Sequence, residues 1–172
     1  LALTVHEYAH AWVAKRRGDN TAYMLGRVTL NPIKHLDLVG TIMLFFSGLF
    51  GWAKPVPVNP RNFKNPSRDM MVVSIAGPLA NIVLAAVFAV IYSVMSSAAQ
   101  YSEALLNSGF FVPLFFMVKV GIYINVGLAI FNMLPIPPLD GSKVLYHFLP
   151  ANAALGCSRI EPYGFFILLF FI

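Results

Sequence analysis

Two histidines and a glutamate near the start of the chain have the types and spacing of a metal-dependent hydrolase. His6 and His10 are four residues apart, so on a helix their imidazoles lie on one face and can bind one metal ion. Glu7 lies beside that site but points away from the imidazoles, as a general base would. Because Zn²⁺ lowers the pKa of a bound water to about 7, the pattern predicts a hydrolytic zinc site.

A catalytic zinc site normally has three protein ligands, so the sequence must supply a third. Glu103 is expected on the outer side of the membrane, and Glu161 follows the last long apolar segment. His35 and His147 lie at segment edges, where interfacial or hydrogen-bonding roles are expected. Asp140 is the better candidate, because it follows an apolar segment that ends at the depth of the histidines. The prolines before it interrupt the helix, so that a carboxylate can turn inward.

The composition is that of a membrane protein. Of 172 residues, 58% are hydrophobic and 11% are charged, and the mean hydropathy is +0.72; soluble domains have about 25% charged residues. The net charge of +5 comes from basic residues beside apolar segments, as the positive-inside rule predicts. We therefore expect a lipid bilayer around the chain and no nucleic-acid partner. Residues 1–172 are expected to form a single core, truncated at both ends, of a longer protein.

Three apolar segments are predicted to form the helices around the site, and they cover residues 1–13, 70–98 and 110–134. The run Lys15-Arg16-Arg17 and Gly18 close the first segment and mark the cytoplasmic side. At about 1.5 Å of rise per residue, the two histidines are then only a few turns inside the membrane. The site is expected toward the cytoplasmic side of a multi-pass integral membrane protein.

Smaller elements are predicted between the first two helices. Residues 21–30 are β-branched and aromatic around Gly26, which favours a small membrane-associated β-hairpin. Val39–Phe50 is short and has basic residues on both sides, which favours a re-entrant or short membrane segment. The loop 52–69 contains four prolines and is expected to be extended, on the same side as Lys15. The predicted fold class is an all-α polytopic membrane protein with these two small additions.

Three motifs, taken together, resemble the site-2 protease family of intramembrane zinc metalloproteases. In the family's order, they are His6-Glu7-Tyr8-Ala9-His10, Gly77-Pro78-Leu79-Ala80-Asn81 and the segment Asn132 to Gly141. Residues 51–60 resemble the compact prokaryotic members. The resemblance implies that His6, His10 and Asp140 bind one Zn²⁺ per chain and that Glu7 activates water for attack on a peptide carbonyl.

Three asparagines also have implied roles. Asn81 and Asn132 are candidates for orienting substrate or stabilising the oxyanion, since side-chain amides can do both. A hydrogen bond between helices is an equally good interpretation of either amide. Asn125 is seven residues before Asn132, hence on the same helical face, and is a candidate for supporting the site without touching the metal.

The function implied by the resemblance is regulated intramembrane proteolysis. The substrate would be a transmembrane protein, cut in or near its membrane segment, and the location a prokaryotic cell membrane. A zinc transporter is an alternative, and it predicts metal ligands at several depths. An inactive scaffold that binds membrane helices is another, and the presence of Glu7 argues against it.

Overall fold

The computed structural model describes residues 1–47, 53–102, 105, 108–158 and 161–164, and helices account for most of them. The described helices are α1 (Ala2–Arg17), α2 (Thr21–Met24), α3 (Leu38–Ser47), α4 (Pro66–Tyr101), α5 (Phe111–Asn132), α6 (Asp140–Phe148) and α7 (Ala151–Ser158). Short 3-10 turns cover Pro32–His35, Pro60–Asn62 and Glu161–Tyr163. The all-α prediction is therefore confirmed for this part of the chain.

The first helix carries the histidine motif and is one turn longer than predicted. It ends at Arg17, and the next residue, Gly18, has a φ of 110°, a left-handed conformation that glycine adopts without strain. Three basic residues in its last turn interact favourably with the helix dipole. The buried residues of α1 share one face of the helix, and they are Thr4, His6, His10, Ala11 and Ala14. This face, which includes both imidazoles, packs against α4.

Two helices are long and apolar enough to cross a membrane, α4 with 36 residues and α5 with 22. At about 1.5 Å per residue they are about 54 and 33 Å long, against a hydrocarbon core of about 30 Å. They pack closely, since a Cβ placed on Gly121 would lie 2.9 Å from the Phe88 ring. Both predicted spanning segments thus form helices, although α4 begins at Pro66 rather than near residue 70.

The predicted β-hairpin at residues 21–30 is wrong. Thr21–Met24 is a turn of α-helix, and the Arg27 N–H bonds back to the Ala22 carbonyl at 2.9 Å. The carboxylate of Asp19 accepts from the backbone N–H and the hydroxyl of Thr21, which favours a helical turn at this point. Within the described ranges no strand occurs, and β-branched residues in so short a run are weak evidence for one.

The other small elements agree in part with the predictions. The Asp37 side chain accepts the Gly40 N–H at 2.8 Å, and α3 follows; residues 48–50 of the predicted segment Val39–Phe50 lie outside the described residues, so its re-entrant character stays a prediction. Residues 54–59 contain neither helix nor turn, as expected for a proline-rich loop. This loop is tied to the preceding chain by an isolated antiparallel bridge between Leu36 and Ala53.

Candidate metal centre

The side chains of His6, His10 and Asp140 meet at one point. The two Nε2 atoms are 3.0 Å apart, and each is 3.2 Å from Asp140 Oδ2. Ligands that surround Zn²⁺ tetrahedrally at about 2.0–2.1 Å are about 3.3 Å from one another. Two imidazole nitrogens and a carboxylate oxygen, at these separations and largely buried, are a donor set that fits a zinc ion.

Each imidazole is oriented by a hydrogen bond from its other nitrogen to α4. His6 Nδ1 donates to Asn81 Oδ1 at 2.6 Å, and His10 Nδ1 donates to the Val73 carbonyl at 2.7 Å. Both partners are oxygens that can only accept, so the proton is on Nδ1 and the lone pair of each Nε2 is left for a metal. Such partners fix the tautomer and the ring orientation of metal-binding histidines.

A chain of amides connects His6 to α5. Asn81 is fully buried, and its Nδ2 donates to the Ala2 carbonyl at 3.2 Å and to Asn125 Oδ1 at 2.8 Å. Asn125 Nδ2 in turn donates to the Gly121 carbonyl at 2.8 Å. Every donor of Asn81 is thus used within the protein. The two amides thus link His6 to α5, in agreement with the interpretation of Asn81 as a hydrogen bond between helices; a role of Asn81 toward substrate or oxyanion stays a prediction.

Gly77 allows α1 and α4 to approach at the site. A Cβ placed on it would lie 2.6 Å from Cε1 of His10 and 2.7 Å from Cε1 of His6, far inside normal contact distance. Any larger residue would push the two imidazoles aside. The sequence showed Gly77 only as a motif position, because the need for glycine appears only when the two helices are packed together.

Asp140 reaches the site from the first turn of α6. The chain before it has no helix from residue 134 to 139, as the prolines predict, and Leu139 is extended. Gly141 follows so closely behind the incoming chain that a Cβ on it would lie 2.5 Å from the Leu134 carbonyl oxygen. A carboxylate in the first turn of a helix is also favoured by the helix dipole.

A pocket of about 150 Å³ opens beside the three side chains. Its other lining residues are Glu7, Pro55, Val56, Val58, Met70, Val73, Ser74, Asn132, Pro138 and Lys143. Glu7 therefore lines the same space as the three candidate metal ligands, as a base would have to. Asn132 also lines it, with its Nδ2 donating to the Leu128 carbonyl of its own helix at 2.9 Å. Lys143 was not predicted; its position three residues after Asp140, on the same helical face, was the available signal.

The remaining candidate ligands are elsewhere. His35 is buried, and its Nε2 donates to the Thr29 carbonyl at 2.8 Å, while His147 pairs with the Ser67 hydroxyl at 2.9 Å. Glu161 lies in the last 3-10 turn, and Glu103 falls outside the described residues. Among the side chains that the structure describes, His6, His10 and Asp140 are the one group of three that could share a metal ion.

Comparison with known proteins is consistent with this geometry. The model of peptidase family M50 matches residues 1–115 and 93–172. The chain belongs to peptidase family M50. This is the site-2 protease family, so the resemblance seen in the three motifs is confirmed. No solved structure matches the chain significantly.

Curated relatives have names that fit the family. A Bacillus subtilis protein named "Putative zinc metalloprotease YwhC" is 42% identical over 169 residues, which are 98% of this chain and 75% of that protein. The "Putative zinc metalloprotease Rip2" of Mycolicibacterium smegmatis is 28% identical over 173 residues, 98% of this chain and 62% of the relative. The chain thus spans between three fifths and three quarters of these proteins. The family and these names indicate Zn²⁺ as the cofactor, and the clustered donor atoms fit it.

Proposed function

We propose that this chain is the catalytic core of an intramembrane zinc endopeptidase. Its substrates are membrane proteins, cut at peptide bonds in or near their transmembrane segments. The observation that carries the proposal is that the metal-binding histidines are supported by α4 and α5, the two helices able to cross a membrane. Gly77 and Asn81 of α4 contact the histidines, and Asn125 of α5 contacts Asn81.

We infer the roles of the residues from the positions of their atoms. A bound Zn²⁺ would supply a water of lowered pKa and polarise the substrate carbonyl. His6, His10 and Asp140 hold the ion through Nε2, Nε2 and a carboxylate oxygen. Glu7 takes the proton from the attacking water; its Oε2 accepts the Val56 N–H at 2.9 Å, which leaves Oε1 for this task. Lys143 and Asn132 line the same pocket and are available to the substrate.

We place the active site toward the cytoplasmic side. The basic end of α1 lies against the start of α4, where Arg17 Nη1 is 3.2 Å from Asp69 Oδ1. Both helix ends are then on one side of the bilayer, and the three consecutive basic residues of α1 favour the cytoplasm. Cysteine labelling in intact cells tests this with Lys15→Cys, in the last turn of α1, and Arg61→Cys, in the 3-10 turn Pro60–Asn62 that precedes α4, both in a Cys157→Ser background. Labelling of either position from outside the cell would contradict it.

A zinc transporter is disfavoured by the same geometry. Transport through the membrane predicts ligand groups at several depths, whereas the described residues contain one such group. The pocket beside this cluster is also lined by Glu7, and transport does not need a carboxylate base. We therefore retain the endopeptidase as the proposed function.

The test of the proposed function is cleavage of a reporter transmembrane peptide by purified protein in detergent, together with zinc quantification. Glu7→Gln should abolish cleavage and leave about one zinc per chain, because the change removes a base but no ligand. Glu161→Gln, at a glutamate outside the pocket, is the matched control and should retain both cleavage and bound zinc. Wild-type turnover by the Glu7→Gln variant would refute the assignment of the base.

A further inference from the structure

The general base is held by an unusual piece of chain, the proline segment (residues 53–59). After Ala53 the segment has six residues, of which Pro55 and Pro57 have no N–H. Of the four remaining N–H groups, three donate to partners outside the segment: Lys54 to the His35 carbonyl at 2.9 Å, Val56 to Glu7 Oε2 at 2.9 Å, and Asn59 to Asp19 Oδ2 at 2.7 Å. The contact of Val56, which lies between the other two along the chain, is the one made to Glu7.

Asp19 fixes the end of the proline segment that follows Val56. It has no exposed surface, and its oxygens accept from Thr21, Asn59 and Asn62 at distances of 2.5–3.0 Å. A buried carboxylate is stable only when hydrogen bonds replace its water. Because Oδ1 takes the Thr21 and Asn62 donors, Oδ2 is reserved for the backbone of Asn59.

Arg27 fixes the other end. Its side chain is 6% exposed, and its Nη2 donates to the Lys54 carbonyl at 2.5 Å, with the Pro55 carbonyl at 3.5 Å. These two carbonyls immediately precede the Val56 N–H. Arg27 and Asp19 are the buried charged residues that contact the proline segment on either side of Val56, and neither lines the metal pocket.

We propose that Asp19 and Arg27 are positioning residues for the catalytic base. They hold the proline segment so that the Val56 N–H meets Glu7 Oε2 and turns Oε1 toward the attacking water. Glutamate has several rotatable bonds, and a misplacement of about 1 Å can lower a rate about 100-fold. This inference rests on the proposed function, since it assigns the residues that orient the base of that reaction.

The first test removes the N–H itself. Val56→Pro deletes the donor, whereas Val56→Ala shortens the same side chain and keeps the donor. The kcat of the proline variant should be about 10- to 100-fold below that of the alanine variant, with similar KM and similar bound zinc. Equal kcat values for two folded, zinc-loaded variants would overturn the proposal.

The second test acts on the positioning residues. In Asp19→Asn one oxygen becomes an amide donor facing the Asn59 N–H, and in Arg27→Met the donor to Lys54 is lost. Each should lower kcat about tenfold at unchanged KM. The matched control is Asp37→Asn, at a carboxylate that caps α3, which should keep wild-type kcat. A change in KM alone, or a loss of activity fully explained by a smaller folded fraction, would show a merely structural role.

Amide hydrogen exchange separates this proposal from the proposed function. Exchange of the Val56 N–H should accelerate at least tenfold in Asp19→Asn, in Arg27→Met and in Glu7→Ala, and it should stay slow in Asp37→Asn. This readout needs no turnover. Slow exchange at Val56 in the first two variants would overturn the positioning role even if wild-type protein cleaves its reporter. If wild-type protein fails to cleave the reporter but exchange at Val56 is accelerated in the variants, only the proposed reaction is refuted.

Discussion

The two halves of the candidate site are held by different chemistry. On the metal side, neutral groups orient the ligands: the Asn81 amide for His6, the Val73 carbonyl for His10, and the missing side chain of Gly77 between them. On the side of the base, the proline segment that contacts Glu7 is fixed by a buried carboxylate and a buried guanidinium. The histidine partners belong to a helix that can span the membrane, whereas the charged groups lie between helices.

The difference follows from the cost of charge at different depths. A charged side chain at the centre of a membrane helix costs about 2.5–3.5 kcal/mol even on the lenient insertion scale. Amides and close helix packing orient imidazoles without that cost. Just beyond the end of α1 the chain is outside the spanning helices, and the buried charged groups of Asp19 and Arg27 lie there with hydrogen bonds to the backbone of the proline segment. Variants on the metal side should therefore alter zinc binding, and variants on the other side should alter turnover.

The largest effect expected on the metal side is that of Asp140→Asn. If a zinc-binding free energy of at least about 10 kcal/mol is shared by three ligands, the loss of one costs about 3 kcal/mol, or more than 100-fold in affinity. Zinc retention under chelator challenge and cleavage should both fall. Glu161→Gln is the control. A folded, inactive Asp140→Asn protein that keeps its zinc would remove Asp140 from the ligand set.

Gly77→Ala should have the next largest effect. The added methyl group would displace the imidazoles of His6 and His10, and we expect zinc affinity to fall about 10- to 100-fold, as for other changes around metal ligands. Gly127→Ala is a matched control in α5, because a Cβ at Gly127 meets nothing within 4 Å. Equal zinc affinity in the two variants would show that the close approach of α1 and α4 is not needed.

The sequence was sufficient to predict which three side chains come together, because their signals are local. The spacing of His6 and His10 and the prolines before Asp140 are features of single segments, and the structure brings these three side chains together. The long helices were predictable for the same reason, since apolar runs of this length have few other interpretations.

The contacts that hold the site could not be predicted, because they depend on packing between segments distant in the chain. Two of the three partners of Asp19, for example, are 40 and 43 residues away. The same carboxylate explains the error at residues 21–30, where its hydrogen bonds to Thr21 favour a helical turn over a hairpin. Gly77 was visible as a motif residue, but the reason for a glycine there is a contact with another helix.

Asn125→Ala should have a smaller effect on the metal side. It removes the acceptor of one Asn81 N–H, two hydrogen bonds away from the ligand His6, so that Asn81 keeps its bond to His6 but is held less firmly. We expect zinc affinity to fall about tenfold, the lower end for changes behind metal ligands, with unchanged kcat in zinc-saturated protein. Asn152→Ala, at an exposed position of α7, is the control. A fall in kcat without a change in zinc affinity would contradict the expectation that variants on the metal side alter zinc binding rather than turnover.

The smallest effect expected is a pH dependence of stability from Asp19. Burial opposes ionisation of this carboxyl group, but hydrogen bonds from Thr21, Asn59 and Asn62 outweigh it and lower the pKa of Asp19 below its usual value. A group with a lowered folded-state pKa stabilises the protein above its unfolded-state pKa, about 3.9, and this contribution is lost as the pH falls through the folded value. The Tm of wild-type protein in detergent should therefore exceed that of Asp19→Asn at pH 7, and the difference should shrink below pH 4. A difference that stays constant from pH 7 to pH 3 would show that the charge of Asp19 does not stabilise the proline segment.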